Sequence, residues 1–292
     1  MAATSFDNMD GKIWMDGQFK DWRDAQVHVL THAMHYASAV FEGQRAYGGE
    51  IFKLEEHTER LFASAEILGM EIPYTQDQIN EACNELLVIN GLTDAYCRPI
   101  VWRGSEMMGV SAQSNTIHVA VAVWEWPSYF SPEARLKGLR LEISKWRRPA
   151  PDTIPTQAKA AGLYMICTLS KHAAEANGYD DALMYDYRGL IAEATGANIF
   201  FVKDGVLHTP TPDCFLDGIT RRTVMGLAEK RGIKIIERAI QPEEMAGFEQ
   251  AFLTGTAAEV TPLAEIGPYR FEVGEITKTL MLDYDAVVRG QL

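Results

Sequence analysis

The sequence predicts an α+β protein built from two mixed α/β domains. Helical and strand patterns alternate along all 292 residues, and hairpin signals sit among the helices. One proline-bounded segment, Pro127 to Pro132, interrupts both patterns. A doubly wound parallel sheet would carry fewer hairpins. The expected organisation is a small N-terminal domain at 1–127, an interdomain loop at 128–137 and a larger C-terminal domain at 138–292.

The elements follow in order. Ile13 to Met15 and Gln18 to Lys20 flank Asp16-Gly17, a hairpin signal. A helix is expected over Leu54 to Leu68, with Leu61, Phe62, Ala65 and Leu68 on one face and Gly69 closing it. A second runs over Gln76 to Ile89 and closes at Asn90-Gly91. Tyr96 to Arg103 and Thr116 to Trp124 are strand-like, rich in β-branched and aromatic residues. Beyond the linker, Leu139 to Ile143 reads as a strand and Met165 to Ala176 as a helix ending at Asn177-Gly178. Ala182 to Tyr187 is a further strand. Ile199 to Lys203 and Val206 to Thr209 form a hairpin around Asp204-Gly205. Thr220 to Lys230 is a helix closed by Gly232, and Lys234 to Ile240 and Gln250 to Leu253 are strands. There is no internal repeat and no low-complexity tract.

Composition narrows the function classes. Hydrophobic residues make up 47% of the chain, enough for sizeable cores. The net charge of -13 argues against nucleic acid or an anionic membrane as partner, since both need clustered cations. No apolar run approaches the ~20 residues of a membrane span. The N-terminus, MAATSFDNMDGK, lacks a basic segment followed by an apolar one. Cys83, Cys97, Cys167 and Cys214 form neither a CxxC pair nor a disulfide framework, so the cytoplasm is the expected compartment.

One kind of chemistry is visible once metal and nucleotide signals are weighed. His28, His32 and His35 have ligand-like spacing, but no Cys, Asp or Glu completes a compact site among them, and no metal is expected. GxGxxG, GxxxxGK[ST] and GxSxG are all absent. In PTQAKAAGLY, Lys159 sits among Ala158, Ala160, Ala161 and Gly162. Small neighbours leave space for a flat ring beside the amine, or they surround an ordinary surface lysine. Leu216 to Arg222 leads directly into a helix, which suits a phosphate or an ordinary helix start. Gly255-Thr256-Ala257-Ala258-Glu259 is a second turn of small residues. Two phosphate-friendly turns and an uncrowded lysine point to pyridoxal phosphate chemistry. Such chemistry needs an acid for the pyridine nitrogen. Glu193 in LIAEATG is a candidate, or a plain strand-end carboxylate.

PTQAKAAGLY, LIAEATGANIF, DGITRRT and FLTGTAAEVTP, in this order and at these intervals, resemble the fold-type IV pyridoxal phosphate enzymes. Within them the chain is similar to the branched-chain amino acid aminotransferases from about Ile13 to Tyr284. THAMHYASAVFEGQRAY and AYCRPIVWRGSEMMGV extend the similarity into the N-terminal half. The resemblance implies the fold-type IV aminotransferase architecture, pyridoxal 5'-phosphate, and ping-pong transamination of L-leucine, L-isoleucine and L-valine with 2-oxoglutarate.

The resemblance also implies residue roles. Lys159 is the Schiff-base lysine and proton carrier, Tyr164 bonds the ring hydroxyl oxygen, and Glu193 pairs with the ring nitrogen. Arg60, Ile219, Thr220 and Thr256 hold the phosphate. Backbone N–H groups of Ala257 and Ala258 and the Tyr96 hydroxyl take the substrate α-carboxylate. Phe41, Tyr164 and Trp126 wall the side-chain pocket, and Tyr129 lies in the loop that closes over it. Tyr36 and Val110 match positions contributed by a neighbouring subunit, which implies a homodimer or higher homo-oligomer with a shared site. Arg98 is expected to meet the second carboxylate of glutamate. Its plainer alternative is an ion pair with Glu106.

Two departures from the family pattern touch the cofactor. Ala194 to Asn198 lacks a second acid, and Leu163 replaces a polar residue. The other functions considered are a D-amino acid or (R)-amine aminotransferase, an aminodeoxychorismate lyase, a catalytically silent cofactor-binding protein, and a metal enzyme built on the three histidines.

Overall fold

The computed structural model describes residues 5–126 and 136–292. They form two compact units. The first takes residues 5–126 together with Ala158–Gly162, and the second takes 136–157 and 163–292. Most of the expected interdomain loop therefore lies outside the described residues, as does Tyr129.

The first unit contains β1 (Lys12–Met15), β2 (Gln18–Asp21), α1 (His32–Tyr36), β3 (Ala39–Phe41), β4 (Gln44–Tyr47), β5 (Glu50–Ile51), α2 (Leu54–Ile67), α3 (Gln76–Ile89), β6 (Ala95–Arg103) and β7 (Ile117–Glu125). Its sheet runs β2-β1-β7-β6-β4-β5, with β3 also on β6. All pairs are antiparallel. Asp16 and Gly17 both have positive φ, 50° and 82°, as a two-residue hairpin turn between right-twisted strands requires. A capping box at Thr75 and Gln78 starts α3, and Gly69 and Gly91 follow the ends of α2 and α3 with φ of 64° and 66°. Leu61, Ile79, Leu86, Val119 and Val121 are fully buried in this core.

The five-residue segment Ala158–Gly162 is stitched to this sheet. The Phe41 N–H donates to the Lys159 carbonyl at 3.1 Å, and Val40 bridges Ala160. The Lys159 N–H donates to Ser64 Oγ at 3.0 Å. Ala158 and Ala160 are buried. Small residues beside Lys159 thus permit close packing of this backbone against the sheet.

The second unit contains β8 (Leu139–Arg148), α4 (Met165–Ala176), β9 (Asp181–Asp186), β10 (Ile191–Ala194), β11 (Asn198–Lys203), β12 (Val206–Thr209), α5 (Ile219–Lys230), β13 (Ile235–Glu237), β14 (Gln250–Gly255), β15 (Glu259–Ile266), β16 (Tyr269–Arg270) and α6 (Glu275–Val287). The sheet order is β10-β9-β8-β15-β14-β11-β12-β13, with β16 on β15. A further pairing of β10 with β11 closes six strands into a ring. Leu141, Leu183, Ile199, Phe201, Leu253, Leu263 and Ile266 belong to one buried cluster in this unit. Among the described residues no helix is long and apolar enough to cross a membrane.

The elements differ from expectation in several places, and the short α1, β3, β4, β5 and β16 have no counterpart among those expected. β8 runs on to Arg148 through a register shift against β9. β13 is shorter than Lys234 to Ile240, while β15 and α6 carry no clear pattern in the sequence.

Candidate active site

The first unit gathers aromatic and cationic groups on one sheet face. Tyr96 lies opposite Trp124 on β7, and Arg98 lies two residues on, so alternation puts all three side chains on the same side. Tyr96 stacks on Trp124 at 5.1 Å and meets Trp126 at 5.2 Å. The Arg98 guanidinium lies over Phe41 at 4.8 Å, and the Lys159 amine lies over the same ring at 5.2 Å. Arg98 Nη2 donates to the Tyr96 hydroxyl at 3.3 Å, while its Nε is buried with no hydrogen-bond partner among the described residues. The alternative pairing of Arg98 with Glu106 is not formed; Glu106 accepts from the Thr116 N–H. Gly43 makes this packing possible, since a Cβ there would lie 2.0 Å from the Tyr96 hydroxyl oxygen.

Arg60 stands in a buried ionic group on the same unit. Its Nε and Nη2 donate to Glu42 Oε1 and Oε2 at 2.6 and 2.8 Å. His57 Nδ1 lies 2.7 Å from Glu42 Oε2, and the Gly43 N–H also donates to it at 3.2 Å. Glu42 is fully buried. Burial alone would raise its pKa, but Arg60 and His57 reverse this and hold the carboxyl well below the carboxylate range. Burial pushes the His57 pKa down, only partly offset by Glu42. His57 is therefore neutral with its proton on Nδ1, donating to Glu42.

In the second unit, Glu193 sits in β10 with Asn198 directly across on β11. Its two oxygens have different partners: Asn198 Nδ2 donates to Oε2 at 3.2 Å, and Arg148 Nε lies 3.3 Å from Oε1 as an ion pair that is not a hydrogen bond. Asn198 Nδ2 also donates to the Leu216 carbonyl at 3.0 Å, which ties Glu193 to the turn before α5. Ile219 and Thr220 are buried in the first helical turn. The helix N-cap is Gly218, with no side-chain cap, so first-turn N–H groups remain available to an anion. A Cβ at Gly218 would lie 2.2 Å from Asn198 Oδ1. Tyr164 is the N-cap of α4 and follows the buried Leu163. Thr256, Ala257 and Ala258 form the β14–β15 turn, with Ala257 exposed.

The sequence-expected residues thus fall into separate groups. Lys159, Phe41, Tyr96, Arg98 and Trp126 converge on the first unit, with Arg60 in its ionic group. Glu193 and the α5 turn are linked in the second. Tyr36 and Val110 are not part of the aromatic patch; they are 46% and 83% exposed, and the Tyr36 hydroxyl donates to the Met108 carbonyl. Glu42, His57, Arg148 and Asn198 join these groups without an expected role, although Glu42 and Asn198 lie within the stretches THAMHYASAVFEGQRAY and LIAEATGANIF.

The three histidines do not converge. His28 Nδ1 accepts from the Leu30 N–H, His32 lies between Ser38 Oγ and the Gly109 carbonyl, and His35 faces the Val29 carbonyl. Asp186, Asp213 and Cys214 do cluster, but Arg188 already contacts both carboxylates at 2.6 and 2.7 Å.

Comparison with known proteins places this arrangement. Residues 39–266 match the family described as class IV amino-transferases. The branched-chain-amino-acid aminotransferase of Pseudomonas aeruginosa is 43% identical over 98% of this chain and 96% of its own. That of Escherichia coli is 37% identical over 96% and 93%. Among solved structures, the branched-chain aminotransferase of the thermophilic archaeon Thermoproteus uzoniensis with norvaline superposes with a TM-score of 0.92 at 36% identity, covering 97% of this chain and 96% of that one. A branched-chain amino acid aminotransferase with pyridoxamine 5'-phosphate superposes with a TM-score of 0.94 at 38% identity, over the same shares of the two chains. With a family match over most of its length and relatives this similar end to end, the chain belongs to the class IV aminotransferases.

Proposed function

We propose that this chain is a pyridoxal phosphate-dependent aminotransferase exchanging the amino group of L-leucine, L-isoleucine or L-valine with 2-oxoglutarate. The observation that carries the substrate choice is Arg98, a guanidinium with an unpartnered buried Nε inside an aromatic patch that also holds the Lys159 amine. Such a patch accepts a branched aliphatic side chain on its rings. It also accepts a second carboxylate on the guanidinium, which an apolar pocket alone would reject.

The donor set fits the cofactor: an amine for its carbonyl, a carboxylate held by Arg148 for its ring nitrogen, and an uncapped helix start for its phosphate. When bound, the cofactor supplies a carbonyl for amines and a ring that withdraws the charge left when Cα loses its proton. Lys159 moves the proton from the substrate Cα to the cofactor's carbonyl carbon, and back in the reverse half-reaction. Glu193 holds a proton at the ring nitrogen, and Tyr164 donates to the ring oxygen. Arg60, Thr220, Thr256 and the Ile219 N–H hold the phosphate. The N–H groups of Ala257 and Ala258, with the Tyr96 hydroxyl, orient the α-carboxylate, and Phe41, Trp126 and Tyr164 exclude water around the aliphatic chain.

The working assembly is a homodimer or a higher homo-oligomer, to which Tyr36 and Val110 contribute in a neighbouring site. Exposed apolar residues support this: Val29, Met34 and Val110 are more than 60% exposed, and Met34 lines a hollow of about 400 Å³ with Ile13, Val27, Ala33 and Trp102. Four unpaired, buried cysteines support a reducing, cytoplasmic setting.

The test is a panel of both enantiomers of amino acids and simple amines with 2-oxoglutarate, run on the wild type and on Lys159→Ala. L-leucine, L-isoleucine and L-valine should lead the panel, and the variant should lose at least about a thousandfold in turnover. Preference for D-amino acids or (R)-amines, or near-normal turnover without Lys159, would overturn the proposal.

A further inference from the structure

Arg148 ends β8 with its side chain 5% exposed, and beyond its ion pair with Glu193 the roles proposed above give it no task. A guanidinium buried that deeply is costly unless its partners justify it. Three partners surround it. Nε pairs with Glu193 Oε1 at 3.3 Å. Nη1 donates to the Leu163 carbonyl at 3.5 Å and to Cys167 Sγ at 3.3 Å. Cys167 is a neutral thiol, its pKa pushed up to about 11 by burial, and its Sγ also points at the Leu163 carbonyl, 3.6 Å away. Arg148 therefore has one anionic partner, Glu193, and one backbone partner, the residue immediately before Tyr164.

We propose that Arg148 is a positioning residue for the cofactor ring: one guanidinium fixes the carboxylate that faces the ring nitrogen and the turn that presents the Tyr164 hydroxyl. This rests on the aminotransferase reading of Glu193 and Tyr164. Arg148 and Asn198 meet different oxygens of Glu193, the first as an ion pair and the second as a hydrogen bond, so the carboxylate is held from both sides. Without the cation, a carboxylate only 12% exposed gains a proton more readily, and a protonated carboxyl cannot hold a proton on the ring. Arg148 touches neither substrate nor cofactor in this scheme, and its whole effect passes through Glu193 and the Leu163-Tyr164 turn.

A double-mutant cycle on the holoenzyme tests this, with Arg148→Gln, Glu193→Gln and the double variant. Three quantities are read: the pyridoxal phosphate dissociation constant by equilibrium dialysis, kcat and KM for L-leucine, and Tm of the cofactor-free protein. Arg148→Gln should weaken cofactor binding about tenfold and lower kcat about tenfold, with KM moving less than about threefold. In the Glu193→Gln background the same change should cost clearly less, about threefold in cofactor binding and kcat, because only the contact with the Leu163-Tyr164 turn is left to lose. Arg148→Lys, which keeps the charge, should recover part of both losses. If Arg148→Gln does not fold, Arg148→Lys takes its corner of the cycle. The neutral double variant removes both members of the pair and should fold. Equal losses in both backgrounds, or a fall in Tm with cofactor binding unchanged, would make Arg148 a purely structural residue and overturn the proposal. A wild-type chain that does not hold pyridoxal phosphate would sink the aminotransferase reading and this one with it.

Discussion

Glu42→Gln is the sharpest probe of the first unit. Glu42 Oε2 receives Arg60 Nη2, His57 Nδ1 and the Gly43 N–H, while Oε1 receives Arg60 Nε. Glutamine keeps the shape but offers one acceptor and an NH₂. If its oxygen takes the Oε2 position, the NH₂ faces Arg60 Nε, donor against donor. One charge-assisted bond is lost and the Arg60 cation loses its counter-charge at a site where its side chain is 16% exposed. Removing one member of a buried pair costs about 3–5 kcal/mol, and the residual exposure favours the lower end, about 3 kcal/mol. For a chain of this size that corresponds to a fall in Tm of about 6–10 °C. The assay is thermal unfolding of the cofactor-free protein near neutral pH, followed by circular dichroism. The double variant Glu42→Gln/Arg60→Met removes both charges and should recover at least half of the loss. A fall below about 2 °C, or a double variant no better than the single, would refute the account of Glu42 as the counter-charge of Arg60.

Arg98→Ala should lower kcat/KM for glutamate and 2-oxoglutarate about ten- to hundredfold while the leucine half-reaction changes only a few-fold; single-turnover rates for both half-reactions decide it, and equal losses count against dual recognition. Gly218→Ala drives a Cβ into Asn198 Oδ1 without straining the backbone (φ -64°), so it should cost about 1–3 kcal/mol and loosen pyridoxal phosphate, read as lower Tm and faster loss on dialysis. The folded His57 pKa lies below its ordinary 6.5, so the unfolded chain binds that proton first and stability falls as pH drops below about 6.5. Glu42, held below 4.5, extends the fall at lower pH for the same reason. His57→Gln should flatten the Tm profile between about pH 7 and 5.5, and an unchanged slope would remove His57 from the account.

Turn chemistry made much of the fold legible. Asp16-Gly17, Asp204-Gly205 and the glycines after α2, α3, α4 and α5 all adopt the positive φ that their neighbours require. β15 was hidden for a physical reason. Glu259 to Leu263 is buried without alternation, and Pro262 interrupts it in sequence, though it pairs with Phe252 in the sheet. The second half of β8 carries the polar run SKWRR and reads as a loop, whereas Arg148 turns inward. α6 begins at Gly274 with no side-chain cap, so no start signal precedes it. At the site, the lysine and the phosphate turn announce themselves through local composition. Glu42, His57, Arg148 and Asn198 do not, because their roles depend on partners. Glu42 and Arg60 are 18 residues apart, and Arg148 meets Glu193 45 positions further along the chain.

The stitched segment Ala158–Gly162 has a consequence for synthesis. The first unit is not covalently complete at residue 127; its last strand contact waits for residues 158–162, made after the chain has already begun the second unit. During translation the first sheet must stay receptive at Val40 and Phe41 until about thirty further residues leave the ribosome, so the two units cannot mature strictly one after the other. No single cut in the gene releases a unit that is both whole and contiguous. A fragment ending before residue 158 would carry the aromatic patch of Phe41, Tyr96 and Arg98 with an unfilled edge and no amine above the Phe41 ring.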